Sequence, residues 1–396
     1  MNRILSSDWI FTNFGEPIKG GGLEVDSNGF ILQVLTSNQV EGMVNVEYYP
    51  GFLVPGFVNA HCHLELSYLA ARVNRNTGIN DFIARVEEIR NDFDKNHREQ
   101  AARQALNLMA DEGVVAVGDI CNTLDTLELK DDSNMLFRNF IEVYGLNPSI
   151  AHSKIEKALK MKDLIPNSSI VPHATYSVSL ELLSLVAQTI NSNSILSIHN
   201  QESEAENQYF RTGEGSMKDR FDAWKLPIPE FIPSGKSPMQ TLQPFIDAKS
   251  NSFLFVHNTF STKEDVEFII EHFSGAYFCL CPASNLFIES SLPDFSLFQN
   301  KPNRICVGTD SLASNDNLSI LQELKIISAH APQIPTALLF EWSGINGARA
   351  LGFDSWVGDF RPGKAPGIVW IEDVDVDSAK LTDWSLGQIL VQAQTK

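Results

Sequence analysis

Long apolar runs are missing from this sequence. No window approaches 18 uninterrupted apolar residues, so no segment reads as a bilayer-spanning helix. Positive charge is scarce. Thirty Lys and Arg stand against 49 Asp and Glu, a formal net charge of −19. That balance argues against nucleic acid as a partner, because binding it draws on Lys and Arg to displace counterions. It also argues against docking on an anionic membrane surface. Cysteine is sparse: five residues, Cys62, Cys121, Cys279, Cys281 and Cys306, with no C-x-x-C pair. A zinc ribbon and a thioredoxin-type motif are thereby excluded. The opening stretch MNRILSSDWIFTNFGEP has neither an apolar h-region nor a small-residue cleavage site, so no signal peptide is read. A cytoplasmic protein with reduced thiols is the economical expectation. What the chain does have is apolar mass. It is 43% hydrophobic with 25 Phe and 20% charged residues, too apolar for disorder. At 396 residues it can bury a large core, in two or three domain-sized units or around one α/β barrel.

Residues 1–53 read as short strands broken by Gly, Pro and Asn, with no helix signal. The end of the chain behaves alike: a turn cluster at 358–363 precedes a strand-like Gly367–Ile371. These two segments, 1–53 and 355–396, predict a small β domain built from both termini. Between them, 54–354 alternates strand and helix. Candidate strands are Phe52–Ala60, Val114–Ile120, Leu136–Val143, Ser169–Pro172, Ser194–Ile198, Phe253–Val256, Ala276–Leu280 and Arg304–Gly308. Helical spacing recurs in Phe82, Val86, Ile89 and Phe93, in Leu180, Leu183, Val186 and Ile190, and in Val266, Ile269, Ile270 and Phe273. Eight strands mostly separated by helices fit a (β/α)8 barrel. A doubly wound open sheet is the alternative, but no G-x-G-x-x-G follows the first strand. Ser216–Ser237, rich in Pro and Gly, reads as a long irregular connection.

The histidines decide the functional reading. Five of nine stand at candidate strand ends: His61 and His63, His173, His199 and His257. Asp310 ends the eighth strand. In a barrel those ends converge on one face. His61 and His63 alternate on a strand and point the same way, which is what a metal requires. His61, His63, His199 and Asp310 are therefore the expected ligands of one ion, Zn²⁺ or Fe²⁺ by donor type. Cys62 points away from them, into the core. Neither an H-E-x-x-H helix nor a P-C-x-x-C motif occurs. Glu202, three residues past His199, suits a general acid/base. Glu204 and Glu206 read as the solvated acidic first turn of a helix.

At these residues the chain resembles the amidohydrolase superfamily. Leu53-Val54-Pro55-Gly56-Phe57-Val58-Asn59-Ala60-His61-Cys62-His63 is similar to its opening signature. The segments Pro172–Ser179, His199–Ser203, Cys281–Asn285, Gly308–Asn315 and Asn346–Gly352 resemble its deaminase and chlorohydrolase branch. His61–Ser67, with Gly78 and Asp81-Phe82-Ile83 behind it, looks most like aminodeoxyfutalosine deaminases, with S-adenosylhomocysteine and methylthioadenosine deaminases as close relatives. One position departs: many relatives carry Arg where this chain has Ala283. A substrate carboxylate would then need another cationic partner.

The resemblance implies an α/β fold, a distorted (β/α)8 barrel with a β-sandwich from both termini, and one metal in the barrel mouth. It implies hydrolytic deamination of an amino-substituted aromatic ring, most simply the adenine of a nucleoside-like metabolite. In that reading Asp310 ligates the metal and takes a proton from the attacking water. His257 steadies the nucleophile and Glu202 protonates the ring. Glu65 and His173 are the expected substrate contacts, Glu65 toward sugar hydroxyls. Phe221, Trp224 and Phe231 of the long loop would cover a group beyond the sugar. A chlorohydrolase or cyclic amidohydrolase remains the alternative. A non-catalytic barrel is disfavoured, since all six metal and catalytic positions are filled. The expected partner is a small-molecule substrate, and a homodimer is left open.

Overall fold

The computed structural model describes residues 2–224, 232–246, 251–298 and 301–395. Three sheets organise them. Five N-terminal strands, β1 (Arg3–Ile10), β2 (Ile18–Lys19), β3 (Gly22–Val25), β4 (Ile31–Leu35) and β5 (Val46–Pro55), join two others from the far end of the chain. The result is one seven-stranded sheet. Leu5, Ile10, Leu23, Val25, Ile31, Leu53, Phe360 and Ile368 form its own apolar cluster, separate from the main core. A one-turn helix, Ser37–Val40, interrupts the N-terminal strands. The reading of 1–53 as free of helix missed it, because four residues carry no periodicity.

The middle of the chain forms two four-stranded parallel sheets. The first holds β6 (Phe57–Cys62), β7 (Val114–Cys121), β8 (Leu136–Val143) and β9 (Ser168–Pro172) in order. The second holds β10 (Leu196–Asn200), β11 (Phe253–His257), β12 (Ala276–Leu280) and β13 (Ile305–Val307). The final strands of the terminal sheet are β14 (Ile368–Glu372) and β15 (Leu386–Val391). All residues of β6, β7, β10 and β11 are buried, as expected of parallel strands covered on both faces. The two sheets meet at both edges. His199 N donates to His173 O at 2.9 Å, and Thr309 N donates to His61 O at 3.0 Å.

The candidate first strand, Phe52–Ala60, is two strands. It ends one sheet at Pro55 and starts another at Phe57. Gly56 is the pivot: a Cβ there would stand 2.4 Å from Val115 Cγ1 and 2.6 Å from Pro366 O. Only glycine lets these two backbones approach so closely. The stretch expected to be an irregular loop after β10 contains a helix, Ser216–Ala223. Phe231 lies outside the described residues. Among the described residues, no helix is long and apolar enough to cross a membrane.

Candidate active site

The strand ends that the sequence singled out converge. His61 Nε2 lies 3.5 Å from Asp310 Oδ1. His63 Nε2 lies 3.3 Å from Asp310 Oδ1 and 3.3 Å from His199 Nε2. One donor atom from each of His61, His199, His257 and Asp310 falls within 4.8 Å of all the others. Tetrahedral ligands about 2.0–2.1 Å from zinc stand about 3.3 Å from one another, so the spacings fit. Both ring nitrogens of His61 and Nε2 of His257 are buried without a hydrogen-bond partner. Orphaned buried nitrogens are costly unless something occupies the space between them. The donor set therefore fits a divalent metal ion.

Protonation states agree with ligand duty. Burial pushes the His63 imidazole down to about 3. Burial and the neighbouring histidines hold His199 well below its ordinary value. Burial alone would raise the Asp310 carboxyl, but His61, His63 and His257 more than reverse this and hold it well below its usual range. Neutral imidazoles and an ionised carboxylate are the forms that bind metal.

Neighbouring groups fix the orientation of His199, Asp310 and His257. His199 Nδ1 donates to His173 O at 2.7 Å, which leaves the Nε2 lone pair facing the cluster. Asp310 Oδ2 accepts from Ser284 Oγ at 2.7 Å and from Ser314 Oγ at 2.5 Å, so Oδ1 faces the histidines. His257 Nδ1 bonds Asn285 Oδ1 at 2.9 Å. Asp119, on β7, accepts from Leu64 N at 2.8 Å and pairs with the buried Lys130 ammonium, pinning the chain just after His63. His257 and Asp310 have φ of 73° and 58°, a left-handed backbone that costs about 1–3 kcal/mol and clusters at functional sites.

Glu202 is buried with Oε1 3.6 Å from His257 Nε2. Burial, then Asp310 and Glu289, raise its carboxyl well above the usual range. Its backbone N–H donates to Glu206 Oε2 at 3.2 Å. Glu206 corrects the sequence reading. It is fully buried rather than solvated, and it also bonds Thr175 Oγ1. Glu204 is exposed, as expected.

A cavity of about 540 Å³ opens above the cluster, and His63, Glu65, His173, His199, Glu202, His257 and Asp310 all line it. His61 is fully buried beneath. Cys62 is packed in the main core. Glu65 is already engaged: its Oε2 accepts from the N–H groups of Asn122 and Thr123 and from Thr123 Oγ1, each at 3.0 Å. His173 Nδ1 bonds Ser177 Oγ at 2.9 Å, and burial presses the ring down to about 4. Phe221 and Trp224 line the cavity together with Ile79, Phe82 and Val86. Ala283 donates its N–H to Glu323 Oε2 at 2.8 Å.

Several residues escaped the sequence reading. Ser284, Asn285 and Ser314 lie inside the motifs quoted above, but nothing local shows that they orient donors. Glu142, on β8, faces the cavity with Oε1 unpartnered and its carboxyl raised by burial to about 7. Its place as the penultimate residue of a candidate strand was the only signal. Tyr176, whose hydroxyl is buried and unpartnered, lines the same space.

The amidohydrolase family profile matches residues 52–388. An adenosine deaminase of Helicobacter pylori is 26% identical over 315 residues, covering 76% of this chain and 75% of that protein. An aminodeoxyfutalosine deaminase of Nitratiruptor sp. is 26% identical over 290 residues, 69% of this chain and 66% of that protein. The crystal structure of Helicobacter pylori aminofutalosine deaminase in complex with methylthio-coformycin superposes with a TM-score of 0.77 at 21% identity, covering 96% and 93% of the two chains.

Proposed function

The chain belongs to the amidohydrolase family, and from that premise we propose that it hydrolytically deaminates the adenine of a nucleoside-like metabolite. It is a hydrolase of carbon–nitrogen bonds other than peptide bonds. The observation that carries the reading is a protonable, buried Glu202 beside a cluster of imidazoles and one carboxylate. Relatives acting on adenosine and aminodeoxyfutalosine support the substrate class.

His61, His63, His199 and Asp310 are the residues that would hold the metal, and imidazole with carboxylate suits Zn²⁺ or Fe²⁺. A divalent metal so held lowers the pKa of a bound water and makes it a nucleophile near neutral pH. Asp310 takes the nucleophile's proton on its carboxylate. His257, with its Nδ1–H given to Asn285, offers the Nε2 lone pair to the nucleophile and orients it toward the ring. Glu202, its carboxyl raised well above the usual range by burial, then Asp310 and Glu289, delivers a proton to the ring nitrogen beside the attacked carbon. The proton held by Asp310 then passes to the amino group, which leaves the tetrahedral centre as ammonia, while the attacking hydroxyl gives its proton back to Glu202 as the carbonyl forms. Glu65 and His173 contact the substrate, Glu65 through its remaining oxygen.

Two architectural readings accompany this. We take the two parallel sheets as one distorted (β/α)8 barrel over 54–354, which the paired edges Cys62–Asp310 and Ala174–His199 support. We take 1–53 with 355–396 as a β-sandwich domain. The approach of Gly29 on the β3–β4 turn to Val391 of β15 supports it, since these strands are at opposite ends of the sheet order. Five unpaired, buried cysteines support a cytoplasmic setting.

The test is ammonia release by metal-replete protein from adenosine, methylthioadenosine, S-adenosylhomocysteine, aminodeoxyfutalosine and guanine, with chloride release from a chlorotriazine alongside. Turnover of an adenine nucleoside is expected. Activity confined to guanine or to the chlorotriazine would overturn the reading.

A further inference from the structure

Glu204 and Glu206 open the same helix, Glu204–Thr212, behind its cap Ser203, yet their surroundings differ. Glu204 is exposed, and Glu206 is fully buried. An acid at an exposed helix start is favoured by the backbone dipole. Burying it forfeits hydration and demands hydrogen bonds in exchange. The spacing Ser203-x-x-Glu206 is that of a capping box, in which the acid returns to the N–H of its own cap residue. The first half of the box forms: Glu206 N donates to Ser203 Oγ at 3.3 Å. The carboxyl goes elsewhere. Its Oε2 accepts from the N–H of Glu202 at 3.2 Å, one residue beyond the cap, and the Gln201 N–H hydrogen-bonds the same carboxyl. Its Oε1 bonds Thr175 Oγ1, in the short turn Thr175–Ser177 that follows His173. Burial pushes this carboxyl up to about 8. A neutral acid accepts on one oxygen and donates from the other.

These bonds meet at the stretch of backbone from which Glu202 projects. Gln201 has a φ of 48°, a left-handed conformation that residues with a side chain rarely adopt. Its own side chain is anchored separately, to Asn207 Oδ1 and Asp265 Oδ2, each at 2.9 Å. Glu202 follows at once and reaches His257, with Oε1 3.6 Å from Nε2. A small rotation of this turn would carry the Glu202 carboxyl away from the reacting centre. Glu206 holds the turn by the two N–H groups on either side of the Gln201–Glu202 step.

We infer that Glu206 is a positioning residue for Glu202: its carboxyl straps the turn between β10 and helix Glu204–Thr212 to the turn after His173, and so fixes where the Glu202 carboxyl stands. This rests on the deaminase reading above, with Glu202 as proton donor, and deepens it. His173 and Glu202 are thereby held in one frame.

The test follows ammonia release by metal-replete protein, with whichever of adenosine, methylthioadenosine, S-adenosylhomocysteine and aminodeoxyfutalosine it turns over fastest. Glu206→Met keeps the volume and removes the hydrogen bonds. It is expected to lose about 10–100-fold in kcat, the scale of a reacting group misplaced by about 1 Å, with KM and metal content close to wild type. Glu206→Gln can still accept from the Glu202 N–H and donate to Thr175 Oγ1, so it should recover most of that loss. Glu204→Gln removes the same charge from the exposed neighbour and should leave turnover unchanged. In a Glu202→Gln background, Glu206→Met should cost no more than about twofold further, because no acid is left to place, whereas a merely structural role would cost as much in both backgrounds. Should Glu206→Met not fold, Thr175→Val, which cuts the strap at its other end, carries the same comparison of backgrounds. Full turnover by Glu206→Met, an equal loss in both backgrounds, or a Gln variant as slow as the Met variant would each overturn the positioning role and leave the deaminase intact. No ammonia from any of the four nucleosides with the wild-type protein removes both.

Discussion

The floor and the wall of the cavity are built on opposite principles. On the floor three donors have a second tether: Asp310 to Ser284 and Ser314, His257 to Asn285, His199 to the His173 carbonyl. Those donors stand at the ends of buried parallel strands. The wall comes from helices Gly78–Ile89, Ala151–Lys162 and Ser216–Ala223, which line the cavity with apolar side chains such as Phe82, Val86 and Phe221 and with the cations Lys154 and Arg220. A floor held that firmly suits one chemistry, while a wall of helices beyond the sheets can change its selection without disturbing the floor.

The sharpest way to break this contrast is to strike the floor. His61→Ala should lose metal and turnover together, read by elemental analysis of gently purified protein and by ammonia release. Retained activity at normal metal content would dissolve the distinction. Glu202→Gln should keep the metal and lose about 10²–10⁴-fold in rate, the usual weight of one positioned acid/base. Because burial, then Asp310 and Glu289, raise the Glu202 carboxyl well above its usual range, it keeps its proton to higher pH than an ordinary carboxylic acid and loses it as pH climbs. Wild-type kcat/KM should therefore fall on the alkaline side, and the residual rate of the Gln variant should lack that limb. Ser284→Ala removes one tether and should weaken metal affinity by about 10–100-fold, measured by chelator competition. The smallest effect belongs to the wall. Phe221→Ala should raise KM by about two- to tenfold, the worth of an aromatic contact, with kcat and metal content moving less. If it changed metal content instead, floor and wall would be one unit.

The floor was also the more legible region. Strand-end histidines and an aspartate can be seen without knowing the fold, because barrel topology forces such ends together. Their tethers cannot be read so. Ser284 meets Asp310 across 26 positions and Thr175 meets Glu206 across 31, and no local pattern encodes either pair. Glu206 shows the hazard: its spacing is that of an ordinary acidic helix start, and only packing from the neighbouring strand's loop makes it interior. The Phe52–Ala60 run was read as one strand because uninterrupted apolar sequence carries no register. Gly56 marked the pivot, but its significance lies in Val115 and Pro366, far along the chain. The helix at 216–223 was missed because it starts after Gly215 with no side-chain cap, so the usual start signal was absent.

The pairing of the first strand of the parallel sheets with the last has a consequence for how the protein is made. Asn59 Nδ2 donates to Thr309 Oγ1 at 2.7 Å across 250 positions, and Asp310 comes one residue later. At about 5–20 residues per second of synthesis, His61 waits on the order of tens of seconds on the ribosome before its acidic partner exists. Through that interval the nascent chain carries histidines able to capture a metal loosely, with no carboxylate to complete the set. The finished centre is thus a late assembly step. An interrupted chain ending before Asp310 would hold all five imidazoles of the site and lack the carboxylate that completes the set.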